Sequence, residues 1–397
     1  MLNYSISLYK NAYAGLSKPV WWLAVVMLVN RAGTMVIPFL TLYLREEKNF
    51  SITYAGAEVA FFGVGAILGN FIGGRLTDKH GFYNVQFWSL FLNGILFIVL
   101  GQMQTFWQIG LCMFVIGSVG EGFRPANAAA IAYYSLPENR TRSYSLNRLA
   151  INLGFCIGPA VGGLLAYKYL FWVDGITCII AAIILRIVLP EIKPASASAE
   201  SIKEKSSAPS VWRDAVYLRF MFFVFLSALC FLQVFSMLPP FYTEQMHFSK
   251  ALAGIILALN GLIIAIFEMV LVYKLEGKRS SVQYISLGAF FIGLSYLLLN
   301  LPYAALPVAI FSMLVITIGE MLMFPFVNTF WISRSNQHNR GQYASVYSMS
   351  FATAHVLAPT FGSQVIHYAG YHSLWFAVFI LCGLAALGFT SFEKHLP

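Results

Sequence analysis

Apolar residues fall in long runs along this chain, and about 20 consecutive apolar residues are what a helix needs to cross the hydrocarbon core of a bilayer. Windows of that size give twelve such runs: 20–44, 52–75, 84–103, 107–134, 144–167, 170–190, 216–240, 251–273, 283–301, 305–332, 342–367 and 372–392. The expected fold class is an all-α membrane protein with twelve transmembrane helices. Of the 397 residues 59% are hydrophobic and 10% charged, against about 25% charged in soluble domains. One water-soluble core cannot hide that much apolar surface. The same figures exclude a disordered, collagen-like or disulfide-rich secreted chain.

The basic residues set an expected orientation. With the N-terminus inside, seventeen of the 25 Lys and Arg residues fall in cytoplasmic segments. Only Arg45, Lys48, Lys168 and Lys250 fall outside, and Arg31, Arg124, Arg148 and Arg186 lie within spans. That asymmetry follows the positive-inside rule and puts both termini in the cytoplasm. The net charge of +9 then reflects topology and not nucleic-acid binding. Residues 1–19 have no apolar core of their own and read as a cytoplasmic lead-in, not a cleaved signal.

Residues 191–212, EIKPASASAESIKEKSSAPSVW, are rich in Ser, Ala, Lys and Pro and read as a cytoplasmic linker. They divide the chain into a six-helix bundle over 1–190 and another over 213–397. The two halves echo each other at an offset of 199 to 200 residues. Glu121-Gly-Phe-Arg-Pro125 in span 4 pairs with Glu320-Met-Leu-Met-Phe-Pro325 in span 10, and Asn139-Arg140 pairs with Asn339-Arg340. Gly158-Pro159-Ala-Val-Gly162 in span 5 pairs with Ala358-Pro359-Thr-Phe-Gly362 in span 11. A collinear series at one offset indicates duplication. Two pseudo-symmetric six-helix halves are the layout of a secondary transporter.

Two motifs carry a resemblance. Gly74-Arg-Leu-Thr-Asp78-Lys79-His-Gly81 lies between spans 2 and 3. Its glycines permit a tight turn and close helix approach, and Asp78 can accept hydrogen bonds from a neighbouring helix N-terminus, where the dipole favours an anion. The stretch resembles the loop 2–3 gating motif of the major facilitator superfamily, except that Tyr83 and Asn84 stand where further basic residues are usual. Gly154-Phe-Cys-Ile-Gly158-Pro159-Ala-Val-Gly162-Gly163 spaces small residues for close helix packing. It is similar to the helix 5 motif of that superfamily's twelve-helix drug:proton antiporters. Asn30-Arg31 in span 1, with Tyr43 further out, also resembles the helix 1 motif of proton-coupled peptide transporters, with Asn30 in place of a glutamate.

Ionisable residues inside spans are costly and mark candidate functional positions. Arg31 is near the middle of span 1. Glu121 and Arg124 are three apart in span 4 and share a helical face. Glu320 is the repeat mate of Glu121, with Met323 in place of Arg124, and Glu268 lies in span 8. Glu58 and Asp174 read as groups near the watery outer ends of spans 2 and 6, and Arg148 and Arg186 as groups near cytoplasmic ends. Trp21, Trp22, Trp107, Trp172 and Trp375 read as interfacial anchors. Phe123, Phe155, Phe231, Phe235, Phe324 and Trp331 are candidate cavity or packing residues.

The five cysteines sit in apolar runs with no CxxC pair, so they read as buried apolar residues. No Walker A loop and no HExxH pair occur, so the sequence carries no sign of a nucleotide-driven pump or a zinc hydrolase. The reading that follows is a transporter, not an enzyme, with no cofactor or metal expected. What the resemblance implies is proton-coupled export of small lipophilic or amphipathic compounds by alternating access, by a functional monomer in the bacterial inner membrane. Its expected partners are a small-molecule substrate, protons and the lipid bilayer, with no nucleic acid. Glu121, Arg124, Arg31 and Glu320 are expected to couple protons. Asn30, Arg31, Arg124, Glu320, Glu268, Phe123 and Phe235 are expected to meet substrate. The alternatives are proton symport of peptides or similar zwitterions and, in another class, a non-transporting membrane receptor or scaffold.

Overall fold

The computed structural model describes residues 2–50, 52–190, 210–301 and 305–393. The expected linker lies outside these residues except for 210–212, and so do Lys193, Lys203, Lys205 and Lys394 of the charge tally. Every regular element among the described residues is helical. This is what a bilayer imposes, since a lone spanning segment must satisfy all its backbone hydrogen bonds internally.

The described residues form two compact units. The first gathers Gly15–Val211 and Ser335–Ala352; the second gathers Met1–Ala14, Trp212–Arg334 and Thr353–Pro397. In the first, the helices are α2 (Lys18–Ala32), α3 (Val36–Glu46), α4 (Ile52–His80), α5 (Phe82–Leu100), α6 (Phe106–Gly120), α7 (Phe123–Tyr134), α8 (Arg140–Gly162) and α9 (Tyr167–Val188). The second holds α1 (Leu2–Tyr13), α10 (Ala215–Phe231), α11 (Gln233–Ser236), α12 (Leu238–Glu244), α13 (Lys250–Leu275), α14 (Ser281–Leu298) and α15 (Ala305–Arg334). Helix α16 (Arg340–Thr390) starts in the first unit and continues in the second.

Ten helical segments among the described residues are long and apolar enough to cross a membrane. Helix α8, at 23 residues, has the length but not the hydropathy, which Asn147, Arg148 and Asn152 lower; it lies where span 5 is expected. The longest segment is two helices joined at Gly370, whose φ of 80° and ψ of 173° leave the helical region. That turn supplies the twelfth span, at the boundary expected between 367 and 372.

Three expected spans are not continuous helices. Span 1 is broken between α2 and α3; in span 4, between α6 and α7, and in span 7, between α10, α11 and α12, the hydrogen-bond ladder is interrupted while Glu121, Gly122, Leu232 and Met237 keep right-handed helical angles. Proline accounts for much of this, because its ring removes the N–H that a carbonyl four residues earlier requires. Pro38 has no donor for Thr34, and Pro125 has none for Glu121. At the second break the Glu121 carbonyl accepts instead from the Arg124 N–H, at 3.2 Å. Pro239 and Pro240 act likewise in span 7. Helix α15 tolerates Pro325 without a break; it has Met321 where span 4 has the flexible Gly122.

The lead-in is also helical. Helix α1 packs on α13, where the Tyr9 hydroxyl donates to the carbonyl of Ile266 at 2.7 Å. Burial, with Tyr9 and Glu268 nearby, holds the Tyr13 phenol above its usual pKa. Trp21, Trp22, Trp107 and Trp172 are exposed, as interfacial anchors would be, but Trp375 is not. It is fully buried and stacks on Tyr296, ring centroids 5.1 Å apart, so it is a packing residue of the second unit.

Candidate functional site

The first unit holds a cavity of about 60 Å³ with both polar and apolar side chains in its wall. That is room for a few waters at about 10–15 Å³ each. It is lined at the α2–α3 break by Asn30, Arg31 and Thr34, on α5 by Ser89 and Asn93, at the α6–α7 break by Glu121 and Phe123, and on α9 by Asp174 and Cys178. Both breaks thus open onto one space inside a bundle of membrane-spanning helices.

Glu121 and Arg124 form an ion pair across the break, with the carboxylate side chain 11% exposed and the guanidinium 36% exposed. Arg31 lies within electrostatic reach of Glu121, Arg124 and Asp174, and its guanidinium sits 5.6 Å from the centre of the Phe155 ring. Two cations and two carboxylates therefore share the region. Mutual neutralisation is the condition on which charges persist away from water.

Asp174, expected near water at the outer end of span 6, is instead 2% exposed. Its Oδ2 accepts from the backbone N–H of Met35 at 3.2 Å and of Val36 at 3.1 Å. It thereby caps α3 with a carboxylate where the helix dipole favours one. One turn along α9, the Asn30 amide donates to the Cys178 thiol at 3.3 Å. Glu58 is likewise buried, not near water: it is 0% exposed and packs at Gly110 on α6. Position along a helix does not say which neighbour covers it, so the sequence misled at both residues.

The helix 5 motif packs directly behind the site. A side chain at Gly154 would put its first carbon 2.4 Å from the Cβ of Arg31, and one at Gly158 would lie 2.8 Å from the Thr34 carbonyl. Gly162 faces Met35 and Phe39. These small residues let the broken span 1 lie flush on α8. Pro159 lies within α8 and Gly163 just past its end.

A polar stripe extends from the cavity. Gln86, Ser89 and Asn93 fall on one face of α5, and Gln86 donates to Asn127 at 3.1 Å, which in turn donates to Asn147 at 3.1 Å. The sequence signal was available: polar residues three and four apart in an otherwise apolar helix.

At the loop 2–3 motif, Asp78 accepts from the backbone N–H of Gly341 at 2.6 Å and of Gln342 at 2.9 Å. It caps the start of α16, as the helix-dipole argument anticipates. A side chain at Gly74 would lie 2.5 Å from the Gly341 carbonyl, Gly81 turns the chain into α5 with φ of 83°, and Lys79 is exposed.

The other candidates belong to the second unit. Glu320 is 6% exposed, and its Oε2 accepts from the Asn260 amide at 3.0 Å. Asn260 also donates to Thr317 at 3.0 Å. A neutral partner from α13 thus takes the place of the arginine that accompanies Glu121. Glu268 is 2% exposed on α13, while Phe235 is 63% exposed on α11 and touches Phe231 edge-on.

The repeat extends into the packing. Cys178 packs on Gly94 and Cys382 on Gly293, which aligns Asp174 with Val378. In span 7, Cys230 replaces Arg31 at the 199-residue offset. The glutamate is therefore common to both units, and the remaining charges of the group are confined to the first.

The comparisons agree with this architecture. Over 83% of this chain and 85% of its own, a Na(+), Li(+), K(+)/H(+) antiporter of Planococcus maritimus is 24% identical. The multidrug resistance protein MdtG of Salmonella schwarzengrund is 30% identical over 40% of each chain. The crystal structure of the human organic anion transporter MFSD10 superposes with a TM-score of 0.78 at 17% identity, covering 93% of this chain and 98% of that one, and so shares its fold. The family model of the Major Facilitator Superfamily matches residues 22–359, and with that match the chain belongs to this superfamily of membrane transporters.

Proposed function

We propose that this transporter is a proton-coupled exporter of small lipophilic or amphipathic compounds, working by alternating access as a monomer, with both termini in the cytoplasm of a bacterial cell. The observation that carries the reading is the Glu121–Arg124 pair at a helix break, with Glu121 on a cavity that Arg31 also lines. A coupling carboxylate must be neutral in one state and charged in another. Burial favours the neutral form, whereas water or an arginine favours the charged one. A carboxylate at a break, with a cation three residues away and a cavity large enough for water, can be switched by small shifts of either half-helix. Glu320, with its neutral Asn260 partner, is the second candidate. The multidrug resistance relative supports export of lipophilic compounds. The alkali-cation/proton antiporter supports a second reading, in which Na⁺ or K⁺ exchanges for protons.

The test is proton movement in everted membrane vesicles containing the protein, on adding lipophilic cations, neutral lipophilic compounds, dipeptides, Na⁺ or K⁺. The proposal expects lipophilic compounds to release protons from energised vesicles and dipeptides to have no effect. A response to Na⁺ and K⁺ alone would favour the second reading. A response to dipeptides alone would favour peptide symport, and no response to any would remove proton coupling.

A further inference from the structure

Asp174 has no role in the mechanism above, yet it is placed where the outer half of span 1 begins. The geometry points to Asp174 as a positioning residue: a carboxylate whose protonation releases the start of α3 from α9 and so lets the outer half of span 1 move. This rests on the reading of the chain as proton-coupled and deepens it by naming how a proton would move an element.

Three contacts hold the α2–α3 break against α9. Asp174 caps Met35 and Val36, Asn30 donates to Cys178, and Gly33 lies against Thr177 so closely that a side chain there would overlap its hydroxyl. The second and third are indifferent to pH in the ordinary range, and the first is not. An ionised carboxylate accepts two charge-assisted bonds from a helix N-terminus. A protonated one loses its charge, and with it most of its preference for the dipole.

The surroundings make this group able to switch. On α2 its neighbours are Arg31 and Asn30, and Glu121, which also lines the cavity, brings its ion-pair partner Arg124. On its own helix the neighbour is Cys178. Helix α5, which packs against α9, carries no charged residue. On α3 the nearest titratable group is Tyr43, whose ring packs 4.9 Å from that of Phe171, one turn from Asp174. Asp174 therefore depends on Arg31 for a counter-charge, and Glu121 and Arg124 compete for the same field. A proton or a substrate cation arriving in the cavity alters that balance. The second unit has Val378 at this position, so the device belongs to one half only.

The experiment follows accessibility of α3 without substrate. Leu42 is exposed on α3; Leu42→Cys, in a background with the exposed Cys156 replaced by serine, is labelled by a thiol reagent in detergent across pH. Rates are corrected for the reagent's own thiolate dependence with Trp107→Cys on α6. The corrected rate is expected to change about three-fold or more between about pH 5 and about pH 8, since one group titrating crosses most of its range in two units. Asp174→Asn keeps an acceptor but cannot ionise, and should flatten the profile. Asp174→Glu still titrates and should keep it, with a displaced midpoint; this variant decides the matter where the asparagine variant does not fold. A flat corrected profile in the Asp174 protein, or a pH response that survives Asp174→Asn, overturns the inference. Labelling needs no transport, so failure of proton-driven export would count against the proposed function and leave this result intact.

Discussion

Glu121 and Glu320 occupy repeat-related positions and keep different company. One is paired with Arg124, and the other accepts from the Asn260 amide. Glu320→Gln preserves an acceptor for that amide, so the fold should survive while the charge is lost. A cationic substrate that meets Glu320 would then bind about 1–3 kcal/mol more weakly, the cost of leaving a buried polar group without its partner. Neutral substrates should be unaffected. Binding measured across a cationic and neutral series checks this, and equal loss in both would make Glu320 a packing residue. The sequence made Arg31, Glu121, Arg124 and Glu320 visible because a charge inside an apolar run stands out whatever surrounds it. It showed Asp174 for the same reason but set it near water, because its burial comes from α3 folding over it.

At the scale of elements, run length and hydropathy placed the spans but not their breaks. A window of twenty residues averages across Gly33–Met35 and across Glu121–Gly122. The prolines that withdraw backbone donors near these points count in it only as mildly polar residues. The glycines of the helix 5 motif were legible as packing residues. What they pack against, the broken span carrying Arg31, was not, because that depends on a neighbour more than a hundred residues away. The cap that Asp78 places on α16 was anticipated in kind, since an acid beside a helix start has one favourable use. Asp78→Asn keeps one acceptor and loses the charge–dipole attraction, worth about 0.3–2 kcal/mol. The first turn of α16 should loosen, and cysteine introduced at the neighbouring Ser345 should be labelled several-fold faster. We expect this release to favour the inward-open state. Unchanged labelling together with unchanged transport would show that the cap does not control α16.

At the scale of the molecule, duplication gives each half the same broken first span lying on the small residues of its fifth. In the first half Gly158 and Gly162 receive Thr34 and Met35; in the second, Gln233 donates to the Ala358 carbonyl at 3.0 Å and Gly362 lies against Met237. On this common frame only the first half carries the arginines and Asp174. Proton coupling, on this account, is concentrated in one half, with Glu121 as the titrating group. The most direct test is uphill transport by Glu121→Gln in vesicles, set beside exchange of substrate at equal concentrations, which needs no proton gradient. The account predicts that the variant reaches the membrane and exchanges substrate but no longer accumulates it when a proton gradient is imposed. Accumulation at the rate of the unaltered protein would contradict it.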